Sequence, residues 1–401
     1  MKYNLNNHIP KETDLVVLGS GAAGMSAALT GAALGYKVTL IEKTDKVGGT
    51  TARSAGSIWI PNTFLDKTGN DNFKKSLTYL KKAIGNRFDL DRIEKFLKVG
   101  PDMVKFLDKK SFVKLRAYDY HPDYLATLDG ATLSGRVLEP YPFDASVLGK
   151  HFKNIRLPLP EFMLFNGLMV DRVDISHLMN LTKNIRSFIH SIKILSFYLF
   201  DLIKFGRGAR LVMGNALVGR LYQSLLEYKV NIICSAEVKS LIYKNNKVSE
   251  ILINSKNKNI KIRVNAGVIL ATGGFSNNKN LRKKLMPQSI PNESCVVESA
   301  TGDGIKLAEN LGGRLKISDE SNSFFAPISL KKRNDNTTAV FPHFVLDRGK
   351  PGLVAIDPNG KRFVNEATTY HLFGKALSTS LEKFTDRSCV FICDKEFIKK
   401  Y

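Results

Sequence analysis

Residues 14–61 read DLVVLGSGAAGMSAALTGAALGYKVTLIEKTDKVGGTTARSAGSIWIP, and this stretch decides the fold. Leu15-Val16-Val17-Leu18 is a continuous apolar run, the pattern of a buried strand. It breaks into Gly19-Ser20-Gly21-Ala22-Ala23-Gly24 and continues as a helix of small residues from Met25 to Leu34. In a GxGxxG turn between strand and helix the glycines have separate tasks. Gly19 makes the tight turn, Gly21 lets backbone approach a pyrophosphate, and Gly24 lets the helix pack closely on its strand. The pyrophosphate would rest on the helix N-terminus, where backbone N–H groups and the helix dipole favour an anion.

A second strand, Lys37 to Ile41, ends in Glu42, about twenty residues beyond the glycines, where an acid that binds ribose hydroxyls belongs. A lone GxGxxG says little, and an ordinary tight turn is the competing reading. Here strand, glycine turn, helix and terminal acid follow one another in order. A plain NAD domain would go on alternating strands and helices. This chain instead continues Lys43-Thr44-Asp45-Lys46-Val47-Gly48-Gly49-Thr50-Thr51 and then Arg53-Ser54-Ala55-Gly56-Ser57. A hydroxyl-rich Gly-Gly loop so soon after the acid suits a ligand that extends past its pyrophosphate.

On these residues the stretch resembles the FAD-binding motif of the fumarate reductase and 3-ketosteroid dehydrogenase flavoprotein family. The resemblance implies an α/β fold, a Rossmann-like FAD-binding domain with an inserted α+β substrate domain, and FAD as cofactor. Gly19 to Gly24, Glu42 and Lys43 would hold its adenosine diphosphate half. Gly48, Gly49, Thr50, Thr51, Gly56 and Ser57 would run along the ribityl chain and flavin ring.

The composition bounds the alternatives. The chain has 401 residues, 43% of them hydrophobic, which is enough for two or three globular domains. Cys234, Cys295, Cys389 and Cys393 are too few and too scattered for a disulfide framework, and their spacing gives no metal site. A reduced, cytoplasmic setting follows. The net charge of +23 is spread along the chain without a basic arm, a long like-charge block or a basic-aromatic RNA motif, so no nucleic-acid partner is expected. The N-terminal MKYNLNNHIPKETD lacks the apolar core of a signal peptide.

Residues 62–110 are polar with helical spacing and read as two or three packing helices. A loop dense in Pro, Gly and aromatics follows, from Tyr118 to Asp144, and such loops commonly lie over a site. Its Pro122-Asp123-Tyr124, Gly135-Arg136 and Glu139-Pro140-Tyr141-Pro142-Phe143-Asp144 resemble the corresponding loop of 3-ketosteroid dehydrogenases. The resemblance implies that Tyr124 lines a pocket for a small lipophilic, steroid-like substrate; the residues alone rank it no higher than Tyr118 and Tyr120.

From Asn180 to Lys204, Ile185, Phe188, Ile189, Ile192, Leu195, Leu199, Leu202 and Ile203 keep helical spacing. Lys193 and Asp201 oppose a membrane span, since each costs about 2.5–3.5 kcal/mol near the bilayer centre. Lys183, Arg186, Lys193, Lys204, Arg207 and Arg210 suit a helix lying on the inner membrane face, with contact over about 183–210. A helix covering the core or another subunit is the plainer reading.

Beyond a helix from Gly214 to about Tyr228, residues 231–235, 238–243 and 248–253 read as a small antiparallel unit, and Val238 resembles the position where backbone meets the adenine. Gly267 to Phe275 is a buried strand ending in Ala271-Thr272-Gly273-Gly274, the family motif that brings a strand end to the cofactor. Thr301-Gly302-Asp303-Gly304 caps an amphipathic helix and resembles an element near the flavin, which includes Asp303. Residues 352–366 read as a β-hairpin through Pro358-Asn359-Gly360. There GKRFVNE, with Tyr370 four residues on, resembles the family's substrate domain, and the resemblance makes Tyr370 the catalytic base. The expected organisation is an FAD-binding domain over 1–288, with a helical insertion at about 62–228, and an incomplete substrate domain over 289–401.

Desaturating a carbon-carbon bond beside a ketone needs a hydride acceptor, a base and donors to the carbonyl. Matching a tyrosine of pKa near 10 to pH 7 takes about 4 kcal/mol of phenolate stabilisation, and the sequence reveals no cation beside Tyr370. The family's polarising tyrosine and glycine lie in a segment after the substrate domain, whereas this chain stops at Tyr401. A C-terminally truncated member is therefore expected, with weakened FAD binding and steroid turnover at risk. A fumarate-reductase-like enzyme acting on a small dicarboxylate and a non-catalytic flavin-binding remnant are the alternatives.

Overall fold

The computed structural model describes residues 9–385 and 388–400. Residues 1–8, part of the polar N-terminus, and Tyr401, where the expected truncation falls, lie outside the described residues. The chain divides into two compact units. The first holds residues 1–123, 128–273 and 303–313; the second holds 124–127, 274–302 and 314–401. The sequence suggested one boundary near 288. The chain instead changes units after Gly273 and returns at Asp303, because the helix Asp303–Glu309 packs on the first unit's sheet.

That sheet has six strands: β1 (Glu12–Leu18), β2 (Val38–Ile41), β3 (Asn231–Ile233), β4 (Ala236–Lys244), β5 (Lys247–Ser255) and β6 (Lys258–Leu270). Their spatial order is β3-β2-β1-β6-β5-β4. β3, β2, β1 and the second half of β6 are parallel, while β4, β5 and the first half of β6 form an antiparallel meander. The apolar run in β1 is the sheet's centre: Val16, Val17 and Leu18 are at most 2% exposed, as expected for a strand covered on both faces.

Two expectations need correction here. Residues 231–233 do not belong to the antiparallel unit but form the parallel edge beside β2, where burying Ile232 and Ile233 completes the core around Leu40 and Ile41. The run 267–270 is a strand, yet Ile269 and Leu270 are 37% and 38% exposed. The pairing of β5 with β6 stops at Arg263, so from Asn265 onward β6 is paired with β1 alone among the described strands.

The helices Phe73–Ile84 and Leu90–Lys110 start at Asn72 and Asp89, whose side chains accept N–H groups of their first turns. The loop up to Asp123 is pinned by Arg136, 1% exposed, which donates to Asp71 and Asp123 at 2.7 Å each; Asp123 also accepts the Trp59 indole N–H at 2.7 Å. The helix Ile185–Phe205 turns Ser187, Ser191, Ile194 and Tyr198 inward and leaves Ile189, Phe197, Leu199, Phe200 and Ile203 between 59% and 88% exposed. This is the reverse of ordinary amphipathicity. No helix among the described residues is long and apolar enough to cross a membrane.

The second unit is built around the helix Tyr370–Leu381, whose Phe373 is fully buried, with the hairpin Ile328–Lys332/Thr338–Pro342 and the pair Leu353–Ile356/Val390–Cys393. The expected hairpin at 352–366 is reduced to one bridge, Ile356 to Arg362. The turn Asp357–Gly360 forms, but then the Glu366 carboxylate accepts the Ala355 N–H at 2.9 Å and takes the bond a returning strand would have made.

Candidate functional site

The glycine turn is a cradle in which two glycines are enforced by the protein and the third faces open space. A Cβ on Gly19, whose φ is +99°, would lie 2.3 Å from the Ala271 carbonyl oxygen, and one on Gly24 would lie 1.9 Å from the Gly19 oxygen. At Gly21 it would meet only Thr51 Oγ1, at 3.6 Å. Gly21 is the N-cap of the helix Ala22–Ala33 and supplies no side-chain cap. Uncrowded backbone at an uncapped helix start, next to small side chains, fits a pyrophosphate.

Ser20 and Glu42 tie the surrounding loops together. The Glu42 carboxylate, 6% exposed, accepts Ser20 N–H at 3.1 Å and Oγ–H at 2.6 Å, and Thr44 N–H and Oγ–H at 2.9 Å each. Ser20 accepts the Gly48 N–H on both its oxygens. Glu42 is also bound through its backbone: its carbonyl accepts the Ala236 N–H at 3.1 Å, bringing the start of β4 and Val238 towards the ribose acid. Val238 itself is half-buried at a bulge on the outermost strand.

Gly48 and Gly49 both have positive φ, 117° and 49°, and turn a short 3₁₀ segment back so that Thr51 Oγ1 accepts the Ala22 N–H at 3.0 Å. Thr50 lies in the same segment, and Gly56 and Ser57 continue the path, Ser57 Oγ lying 3.1 Å from the Tyr118 hydroxyl. A contribution the motif reading missed comes from the helix Met213–Glu227. The Gly214 N–H donates to Ser54 O at 3.0 Å, and the fully buried Asn215 donates to Ala52 O at 2.6 Å. Gly214 must be glycine, since a Cβ there would lie 1.9 Å from Thr51 O.

The end of β6 closes the far side. Ala271 N–H donates to Leu18 O at 2.8 Å, Thr272 Oγ1 accepts the Gly304 N–H at 3.1 Å, and Gly273 follows at φ +73°. Lys43 Nζ meets Asp303 Oδ2 at 2.6 Å, so two candidate residues 260 positions apart are paired. In this unit hydrogen bonds link Ser20, Glu42 and Gly48, and Ala22 with Thr51, beside the N-terminus of the helix Ala22–Ala33, and Ala271 lies against Gly19.

The predicted catalytic pair lies in the second unit. Tyr124 and Tyr370 meet edge-on with ring centroids 5.7 Å apart. Tyr370 opens its helix, N-capped by Thr369, and its hydroxyl accepts the Val345 N–H at 3.2 Å. Burial pushes the Tyr370 phenol above its ordinary value of 10, opposed by the Val345 amide, the Arg348 charge and Tyr124. Arg348 is the cation that the sequence did not reveal. It sits 22 positions before Tyr370, on the short helix Val345–Arg348, with no motif marking it. Tyr124 of that loop is brought to Tyr370 in the second unit, while Tyr118 and Tyr120 belong to the first unit.

Among the described residues no group of three or more His, Cys, Asp or Glu side chains could hold a metal ion, and the four cysteines are unpaired by disulfides.

A strand-turn-helix cradle, a buried acid at the end of the second strand and a Gly-Gly loop are the layout of a dinucleotide-binding flavoprotein. Residues 14–400 match the family of FAD binding domains, to which this chain belongs; FAD is its cofactor. The chain is 31% identical over 376 residues to 4-oxocyclohex-2-ene-1-carboxylate 5-dehydrogenase of Sinomonas cyclohexanicum, covering 93% of this chain and 64% of that protein. It is 33% identical over 379 residues to 3-oxosteroid 1-dehydrogenase of Mycolicibacterium smegmatis, covering 91% and 64%. The crystal structure of 3-ketosteroid Δ1-dehydrogenase from Sterolibacterium denitrificans, in complex with 1,4-androstadiene-3,17-dione, superposes with a TM-score of 0.84 at 31% identity, over 97% of this chain and 70% of that one. The chain thus spans about two thirds of the length of the proteins it matches.

Proposed function

We propose that this chain is the FAD-binding and proton-abstracting part of an oxidoreductase that desaturates a CH–CH bond beside a ring ketone, with a small lipophilic, steroid-like substrate. When bound, FAD supplies the hydride acceptor. Gly21, Ala22, Ala23 and Gly24 hold its pyrophosphate, Glu42 the ribose and Val238 the adenine; Lys43, Gly48 to Thr51, Gly56, Ser57, Ala271, Thr272, Gly273 and Asp303 line the rest. Tyr370 takes the proton from the carbon next to the carbonyl, with Tyr124 as its hydrogen-bond partner. The neighbouring carbon loses the hydride, and the two electron pairs released leave one C=C bond and a reduced cofactor.

The observation that carries this reading is the edge-on pair Tyr124–Tyr370, with a backbone N–H on the Tyr370 hydroxyl. The names of the relatives support the substrate class, since each describes a dehydrogenase of an oxo compound. Against a dicarboxylate substrate stands the burial of Arg348: at 1% exposure, with two of its nitrogens on the Glu366 and Thr368 carbonyls, it offers no fork to a carboxylate. The test is turnover of a 3-ketosteroid with an artificial electron acceptor, compared with fumarate reduction by a reduced dye. Tyr370→Phe is expected to abolish desaturation and keep FAD bound; undiminished turnover in that variant would refute the base.

The reading includes a peripheral membrane contact through residues 183–210 of a cytoplasmic protein. Its support is the outward apolar face of Ile185–Phe205 with exposed Lys183, Arg186, Lys193 and Lys204 beside it. Arg207 and Arg210, counted as part of this basic cluster in the sequence, are used inside the protein: Arg207 lies 3.9 Å over the Phe152 ring and Arg210 pairs with Asp174 at 2.6 Å.

A further inference from the structure

Arg348 is among the most deeply buried large side chains, at 1% exposure. Its Nη1 and Nη2 donate to the carbonyls of Glu366 and Thr368, the second at 2.6 Å, while its buried Nε has no hydrogen-bond partner. A guanidinium with an unpaired buried N–H is costly, and a purely structural role would leave that cost uncompensated. Its central carbon lies 5.4 Å from the Tyr370 ring centroid and 4.7 Å from that of Phe373. The guanidinium itself is shielded from water, so its charge acts on its neighbours with less screening than a surface charge would.

We infer that Arg348 is the positioning residue that makes Tyr370 a usable base: its fixed positive charge, held by the two carbonyls against the Tyr370 ring, stabilises the phenolate when the proton is to be taken. This rests on Tyr370 being the base; Arg348 offsets part of the cost that burial adds to its phenolate. The other charged or titratable groups around the pair are Asp347, Glu366, Tyr124 and His343. Glu366 is engaged with Arg362 at 2.6 Å, and Asp347 opposes the effect on Tyr370. Arg348 is therefore the one cation acting on the phenol among the charged groups just named. Arg is suited to this because it stays protonated when buried, where Lys readily loses its proton.

The test is a pH titration of the FAD-loaded protein labelled with [13Cζ]tyrosine, the Tyr370 resonance being assigned by its loss in Tyr370→Phe. Arg348→Gln is expected to raise the Tyr370 pKa by about one unit or more, a tenfold loss of phenolate at a given pH. Arg348→Lys, whose amine loses its proton in this buried position before Tyr370 titrates, is expected to raise it likewise. An unchanged Tyr370 pKa in a folded Arg348→Gln protein overturns the inference. If that variant does not fold, Arg348→Lys decides alone: a rise of a unit or more supports the inference, and a wild-type value overturns it. The alkaline shift should appear equally in the pH profile of desaturation. Retained turnover in Tyr370→Phe would remove the base assignment while the resonance still reports the coupling, so the two failures are distinguishable.

Discussion

Lys43 and Asp303 meet at 2.6 Å although 260 residues separate them, joining the residue after the ribose acid to the first turn of the helix Asp303–Glu309. Both side chains are about a third exposed, 27% and 35%, so the pair contributes less than about 1 kcal/mol to stability. In the proposed function both residues line the cofactor site, so the pair is expected to matter for FAD more than for stability. Asp303→Ala is expected to leave the melting temperature nearly unchanged and to weaken FAD binding about tenfold, or about 1.4 kcal/mol. Thermal melts and fluorescence titration on the same preparation separate the two effects.

Gly21 and Gly24 make a sharper pair. A Cβ on Gly24 would collide with backbone 1.9 Å away, so Gly24→Ala is expected to destabilise the protein by about 3 kcal/mol or more even without ligand. Gly21→Ala meets open space and changes an N-cap, a loss of less than about 1 kcal/mol, yet it fills the region where a pyrophosphate would sit. It should therefore melt close to wild type and bind FAD at least tenfold more weakly. Equal effects of the two substitutions on stability would contradict the division of roles.

This division was legible in the sequence because strand, turn, helix and acid are local and the geometry of each depends on a few neighbouring residues. The pairing of Lys43 with Asp303 could not be read, since it depends on how distant chain segments pack. Gly214 and Asn215 were missed for the same reason: they support the Gly-Gly loop from a helix more than 150 residues later. Strand 267–270 was recognised from its apolar residues, whereas its exposure depends on where β5 stops pairing. Arg348 carries no motif, and only the fold brings it to Tyr370.

Glu366 sets a pH limit on the second unit. Burial works against its ionisation, but hydrogen bonds from Arg362 and the Ala355 N–H prevail and hold its pKa below the ordinary 4.5. A depressed folded-state pKa contributes stability that is present above the unfolded value and is lost as pH falls through the folded one. Urea midpoints should therefore fall as the pH drops below about 4.5, and the Glu366→Gln protein, already weaker at pH 7, should lose less over that interval.

The outward face of Ile185–Phe205 predicts sedimentation with vesicles containing phosphatidylglycerol, weakened by salt and by replacing the anionic lipid with phosphatidylcholine. Phe200→Asp together with Ile203→Asp, both exposed at 62% and 88%, should abolish co-sedimentation without lowering the melting temperature. Binding that survives the double substitution would argue against this face.

The most direct measurement is a flavin-fluorescence titration of the purified chain with FAD and, in parallel, with FMN, which lacks the adenosine monophosphate half. The cradle of Gly19–Gly24, the acid Glu42 and the strand bearing Val238 all address that half, so FAD should bind saturably at one per chain and FMN at least a hundredfold more weakly. A folded chain that binds neither, or binds FMN as tightly as FAD, would contradict the account.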